Sequence, residues 1–166
     1  MSGAGDETAR REAVKLLERR ALSRRELRDK LLKRGHDADT AQRVIGALAS
    51  AGLVDDRALS ESIVRVELSR LPAGAAMLEA KLARRGIERE IGESVVREAL
   101  RGRLGADDAE AVASKRMRAL PRTLPEEVIR RRLLGALSRR GFSHEDALAA
   151  LDRVLDARDD GIHAGG

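Results

Sequence analysis

Apolar residues recur along this chain at intervals of three and four, and three times the recurrence ends in the same way. Lys-Leu-Leu-Lys-Arg-Gly occupies 30–35, Lys-Leu-Ala-Arg-Arg-Gly 81–86 and Gly-Ala-Leu-Ser-Arg-Arg-Gly 135–141. The closing glycines lie 51 and 55 residues apart. Eight and four positions before each glycine stand Leu27 and Leu31, Leu78 and Leu82, and Leu133 and Leu137, so each leucine pair shares one helical face. The spacing predicts helices that stop at Gly35, Gly86 and Gly141. Each glycine takes the left-handed position after the helix, and the basic pair before it faces the negative end of the helix dipole.

Amphipathic stretches flank each of these helices. Val44, Ile45 and Leu48, then Ile91, Val95, Val96 and Ala99, then Leu148, Leu151, Val154 and Leu155 follow the glycines at helical spacing. Val14, Leu17 and Ala21, then Leu59, Ile63 and Val66, then Val112, Ala113, Met117 and Leu120 precede them. The pattern therefore predicts three repeats of three helices, over 8–54, 55–104 and 107–157, with frayed polar tails at 1–7 and 158–166. Ser23 with Glu26, Thr123 with Glu126 and Ser143 with Asp146 read as capping boxes, and Pro125 suits an early helical position. Asp55-Asp56 and Asp107-Asp108 follow glycine turns and suit a helix start, as N-cap and first-turn charge. The segment Leu71–Ala76 lacks a capping box and is the expected bend.

Composition narrows the class to all-α. With one phenylalanine and no tyrosine or tryptophan, the apolar share goes to Ala and Leu, whereas sheets draw on aromatic and β-branched residues. A repeat of this size with small side chains buries little alone, so the expected architecture is three tandem three-helix repeats forming an elongated, curved array. The lack of cysteine excludes disulfides and thiolate metal sites and fits the cytoplasm. No run approaches the roughly 18 apolar residues of a membrane span, and residues 1–12 lack the apolar run of a signal peptide, so a soluble, unprocessed monomer is expected.

Candidate chemistry is sparse. No phosphate loop, paired-histidine metal motif or nucleophile elbow occurs, so neither catalysis nor a cofactor is expected. His36-Asp37-Ala38-Asp39 can be drawn as a metal ligand set, but Asp37 or Asp39 serves better as the cap of the next helix. Phe142 reads as a core staple, since its counterparts in the other repeats are His36 and Ile87.

What remains is arginine. The chain has 33 basic and 28 acidic residues, a net charge of +5, and only five of the basic residues are lysines. Residues 15–34 alone hold nine basic side chains against Glu18, Glu26 and Asp29. Arginine's planar fork binds carboxylate or phosphate through two hydrogen bonds. Arg24, Arg25, Arg28, Lys33, Arg34, Arg65, Arg84, Arg85, Arg139 and Arg140 are thus the candidates for contact with an acidic protein or polyanion. The bland alternative for any one of them is a solvated helix surface. The pair Arg84 and Arg85 is expected to serve binding rather than folding.

Taken in order, residues 16–36 (Leu-Leu-Glu-Arg-Arg-Ala-Leu-Ser-Arg-Arg-Glu-Leu-Arg-Asp-Lys-Leu-Leu-Lys-Arg-Gly-His), Gly-Leu-Val-Asp-Asp-Arg-Ala-Leu at 52–59, Lys-Leu-Ala-Arg-Arg-Gly-Ile at 81–87 and Leu-Ser-Arg-Arg-Gly-Phe at 137–142 resemble the RecX family, regulators of the RecA recombinase. The resemblance covers about residues 12–156. It implies three tandem three-helix repeats, with Gly35, Asp55, Asp56, Gly86 and Gly141 as structural motif positions. It also implies a non-enzymatic protein that binds along the groove of the RecA filament, with single- or double-stranded DNA as a further partner. Family members inhibit or modulate strand exchange, ATP hydrolysis and coprotease function in DNA repair, recombination and the SOS response. This chain departs from the family's aromatic positions around the two aspartates, where it carries Leu53 and Leu59.

Overall fold

The computed structural model describes residues 3–163, and every regular element among them is a helix. In chain order these are α1 (Ala4–Leu17), α2 (Arg24–Lys33), α3 (Ala38–Ser50), α4 (Asp56–Arg70), α5 (Ala75–Arg84), α6 (Arg89–Ala99), α7 (Gly105–Arg118), α8 (Glu126–Arg139) and α9 (His144–His163). They form three sets of three, and the second helix of each set is the glycine-terminated one.

The glycine stops are built alike. Gly35, Gly86 and Gly141 have φ of 92°, 73° and 83°. In each case the glycine N–H returns to the carbonyl three residues back, and the next N–H returns five back, to Leu31, Leu82 and Leu137 respectively. This paired return satisfies carbonyls that the helix end would otherwise leave open. The residue after the glycine folds back over the leucine whose carbonyl it uses, which is why Ile87 and Phe142 are buried.

Helix starts follow the expected chemistry only in part. Ser23 and Glu26 form a reciprocal capping box, and Asp37 caps α3 by accepting the Thr40 N–H at 2.8 Å. Asp55 accepts the Ala58 N–H at 3.0 Å. Ser143 accepts the Asp146 N–H at 3.1 Å, but its hydroxyl then donates to the Asp146 carboxylate at 2.7 Å. Thr123 is not a cap. A cap at Thr123 would need Leu124 in helical geometry, which the following proline disfavours, so α8 starts from Pro125, which stands just outside the helix with an extended ψ of 143° and no side-chain cap bond. α7 likewise starts earlier than the aspartates predict, from Leu104, and Asp107 and Asp108 lie inside its first turn.

Both ends are more ordered than the polar composition of the tails predicts. α1 already begins at Ala4, since Gly3 O accepts the Asp6 and Glu7 N–H groups and Arg43 grips Asp6 with two hydrogen bonds at 3.1 and 2.8 Å. α9 continues to His163. Met1, Ser2 and the last three residues of the tails lie outside the described residues.

Compactness divides the chain into two units. One comprises the described residues through Ile63 with Lys81–Val95, and the other Val64–Ala80 with Val96 onward, so the middle three helices are shared out. In the first unit Leu27 and Leu31 meet Ala9, Ala13 and Leu16 of α1 and Val44, Ile45 and Leu48 of α3. The buried stripe of α1 is thus shifted from the expected Val14, Leu17 and Ala21: the first two pack at the margin and Ala21 is exposed. In the second unit Leu133 and Leu137 pack with Val112, Ala113, Phe142, Leu151, Val154 and Leu155, whereas Leu148 is exposed. Val66 also faces outward, while its neighbours Val64 and Glu67 are buried.

Candidate partner-binding surface

The arginine before each closing glycine sits where a helix ends, and two of these three arginines bind across to the preceding repeat. In the first unit, Arg85 lays its guanidinium on Glu26, with Nε to Oε1 at 2.8 Å and Nη2 to Oε2 at 3.0 Å, and also donates to Ala21 O at 3.1 Å. The Arg85 carbonyl in turn accepts the Ser23 hydroxyl at 2.6 Å. The end of α5 is therefore fastened to the start of α2. Ser23 is fully buried and serves twice, as cap of its own helix and as donor to the other.

The second unit repeats the arrangement with different atoms. Arg140 donates to Pro72 O at 2.9 Å, Leu71 O at 2.6 Å and Glu67 Oε1 at 2.8 Å. Its carbonyl accepts the Gly74 N–H at 3.0 Å. Ser23 and Gly74 are 51 residues apart, as are Gly35 and Gly86, so the same repeat position supplies the donor in both joints, once as a hydroxyl and once as a backbone amide. The close approach explains the glycine: a Cβ on Gly74 would collide with the Gly141 carbonyl, and one on Gly141 with the Met77 backbone nitrogen. The linker expected to be a bend is thus held by three hydrogen bonds to one arginine's side chain and carbonyl, and the same arginine also meets Glu67 of α4.

Charge in the first joint follows from this geometry. Burial opposes ionisation of Glu26, but hydrogen bonds from Arg85, the Ser23 backbone and Arg20 outweigh it and hold the carboxyl at about 2. Asp56 behaves oppositely. Burial raises its carboxyl above the ordinary range, although it accepts the Arg24 N–H at 2.9 Å and so satisfies an open donor in the first turn of α2. Asp56 is therefore more than a first-turn charge. Ser23→Ala would remove a cap and strand the Arg85 carbonyl; a loss of about 1–2 kcal/mol is expected, read as a lower urea midpoint. An unchanged midpoint would disprove the double role.

The other sequence-predicted residues divide by exposure. Arg24, Arg25, Arg28, Lys33 and Arg84 are exposed in the first unit and form no ion pair among the described residues. The Ser23 to Arg85 bond brings Arg24 and Arg25, at the start of α2, beside the helix end that carries Arg84, and the Arg25 stem lies over Gly86. Arg34 pairs with Glu12 at 3.4 Å, as does His36 at 3.2 Å, and these bonds, His36 foremost, hold the Glu12 carboxyl low. In the second unit Arg65 and Arg139 are exposed. Arg139 shares an open cleft with Arg116, Arg131 and Arg132, three arginines absent from the sequence-based set. Among the described residues no group of His, Asp and Glu could hold a metal, and no helix is long and apolar enough to cross a membrane.

Comparison with known proteins accounts for the repeat. Residues 9–48 match the family model described as RecX, first three-helix domain, and residues 106–151 match RecX, third three-helix domain. The chain belongs to the RecX family. Regulatory protein RecX of Chromohalobacter salexigens is 38% identical over 148 residues, covering 87% of this chain and 91% of the relative. Regulatory protein RecX of a Mycobacterium species (strain KMS) is 35% identical over 148 residues, covering 86% and 79%. The crystal structure of RecX from Lactobacillus salivarius shares the fold, with a TM-score of 0.75 at 20% identity over 90% of this chain and 96% of that one. Membership in RecX places the chain among regulatory proteins and accounts for the repeated three-helix plan.

Proposed function

We propose that this chain is a non-catalytic regulator that binds the RecA nucleoprotein filament and inhibits its recombinase, ATPase and coprotease activities. The observation that carries the reading is the cluster at the first joint, where Arg24, Arg25, Arg28 and Arg84 stand exposed and unpaired in a chain of the RecX family. Guanidinium forks left open in this way can take carboxylates of a protein groove. Arg85 and Arg140 are excluded from this surface because the joints use them.

Near-stoichiometric protein is expected to inhibit the DNA-stimulated ATPase of the cognate RecA and to co-sediment with its filaments in preference to bare DNA. Arg84→Ala together with Arg24→Ala should weaken that inhibition severalfold with helicity unchanged. The double change at Arg84 and Arg85 is a poor probe, since it also opens the joint. Absence of both inhibition and filament binding at low salt would overturn the reading.

A further inference from the structure

Arg116 of α7 and Arg131, Arg132 and Arg139 of α8 line an open cleft of about 330 Å³, whose other walls are Leu120 and Gly135. No carboxylate lines it, and none of the four arginines has an ion pair among the described residues. Several carboxylates of this unit are paired elsewhere, and the unpaired Glu127, Glu145 and Asp156 are not among the residues that line the cleft. Asp108 holds Arg103 at 2.7 and 2.8 Å, Asp107 and Glu110 hold Arg153 at 2.8 and 3.2 Å, and Asp152 meets Arg130 at 3.3 Å. A region close to neutral in sequence is thus sorted into paired charges on one side and bare guanidinium groups on another.

The sorting has a helical basis. Arg131, Gly135 and Arg139 are spaced by four, with Arg132 three before Gly135, so they share a face distinct from that of the buried Ile129, Leu133 and Leu137. Arg131 to Arg139 spans about 12 Å of helix rise. Gly135 is costly in mid-helix, yet its missing side chain leaves the floor of the cleft open. Four clustered like charges with no counterion in the fold call for an external anion.

We infer that this cleft binds the phosphodiester backbone of nucleic acid, without reading sequence. A ligand that carries one charge on every repeat unit matches a row of forks along a helix, and 12 Å faces about three successive phosphates of one strand. The lining offers no aromatic ring for base stacking, since Phe142 is in the core, and one leucine as its only apolar side chain, too little to seat the side chains of an acidic peptide. The inference adds a DNA contact to the proposed filament binding and stands or falls separately from it.

The test uses the full chain with a labelled single strand and its duplex, titrated by fluorescence anisotropy across a range of NaCl. Arg131→Ala with Arg132→Ala is expected to weaken binding about tenfold at low salt and to reduce the salt slope by about 0.7 per lost contact on a single strand or about 0.9 on duplex. The form whose affinity falls further, at matched salt, is the one that the cleft prefers. Gly135→Glu, which puts a carboxylate on the floor, should act in the same direction, and a Cβ at this position meets only the Arg139 guanidinium, at 3.3 Å. Arg153→Ala, outside the cleft, should leave binding unchanged. Equal affinity and slope in both cleft variants would overturn the proposal, and so would displacement of DNA by polyglutamate at equal charge, which would mark a protein ligand. RecA ATPase inhibition, measured in parallel, reports on the filament reading alone.

Discussion

Replacing Arg140 with alanine is expected to destabilise the protein by about 3–5 kcal/mol, because it removes the guanidinium that meets a buried carboxylate. The Glu67 side chain is only 9% exposed and receives the Arg140 guanidinium at 2.8 Å. The same side chain also donates to the carbonyls of Leu71 and Pro72, which would lose those donors in a partly buried segment. Arg140→Lys should recover only part of the loss. One ammonium can replace the charge, but it cannot address three acceptors from a planar fork. Changing Glu67→Gln in the Arg140→Ala background should restore part of the stability by removing a buried charge that has lost its guanidinium. Urea unfolding of the set measures this; a loss below about 1 kcal/mol for Arg140→Ala would mean that the pair behaves as a surface ion pair.

Acidification should weaken the fold through Glu26. Its carboxyl stands at about 2 against an ordinary value of 4.5, and its side chain is 19% exposed. A depressed carboxyl contributes stability that is complete above its unfolded value and lost as pH falls through its folded one. The contribution here is about 3 kcal/mol, present above pH 4.5 and lost progressively toward pH 2. Asp56 works against it, since a carboxyl raised by burial favours the folded state when protonated and costs stability once pH rises above its unfolded value. Urea midpoints of the parent chain and Glu26→Gln, compared from pH 6 to pH 2, isolate the term. The two curves should lie apart at neutral pH and converge on acidification. Parallel curves would show that Arg85 does not hold Glu26 as the distances indicate.

The two predictions concern one device used twice. A helix-ending arginine reaches back to the linker before the preceding repeat's glycine-terminated helix and to a glutamate beside it, Glu26 in the first turn of α2 or Glu67 in the last turns of α4, and its carbonyl takes a donor from the start of that glycine-terminated helix. The device explains why the second basic residue of Arg84-Arg85 and Arg139-Arg140 is withdrawn from the surface while the first stays out. Lys33-Arg34 differs, because Arg34 pairs with Glu12 of its own set.

What could be read from the chain without coordinates was everything governed by neighbours a few residues apart. The leucine pairs, the left-handed glycines, the Ser23 and Asp37 caps and the burial of Phe142 follow from helical period and backbone sterics, which act over one or two turns. Thr123 misled because a nearby proline imposes a stronger local constraint than a capping pattern. The roles of the arginines lay beyond that range. Arg85 finds Glu26 across 59 residues and Arg140 finds Glu67 across 73, and the arginine cleft needs α7 and α8 side by side. Arginine looks the same in sequence whether it is bound or bare. Its meaning depends on which carboxylates and carbonyls packing brings within hydrogen-bond reach, and that is a property of three-dimensional convergence rather than of local order.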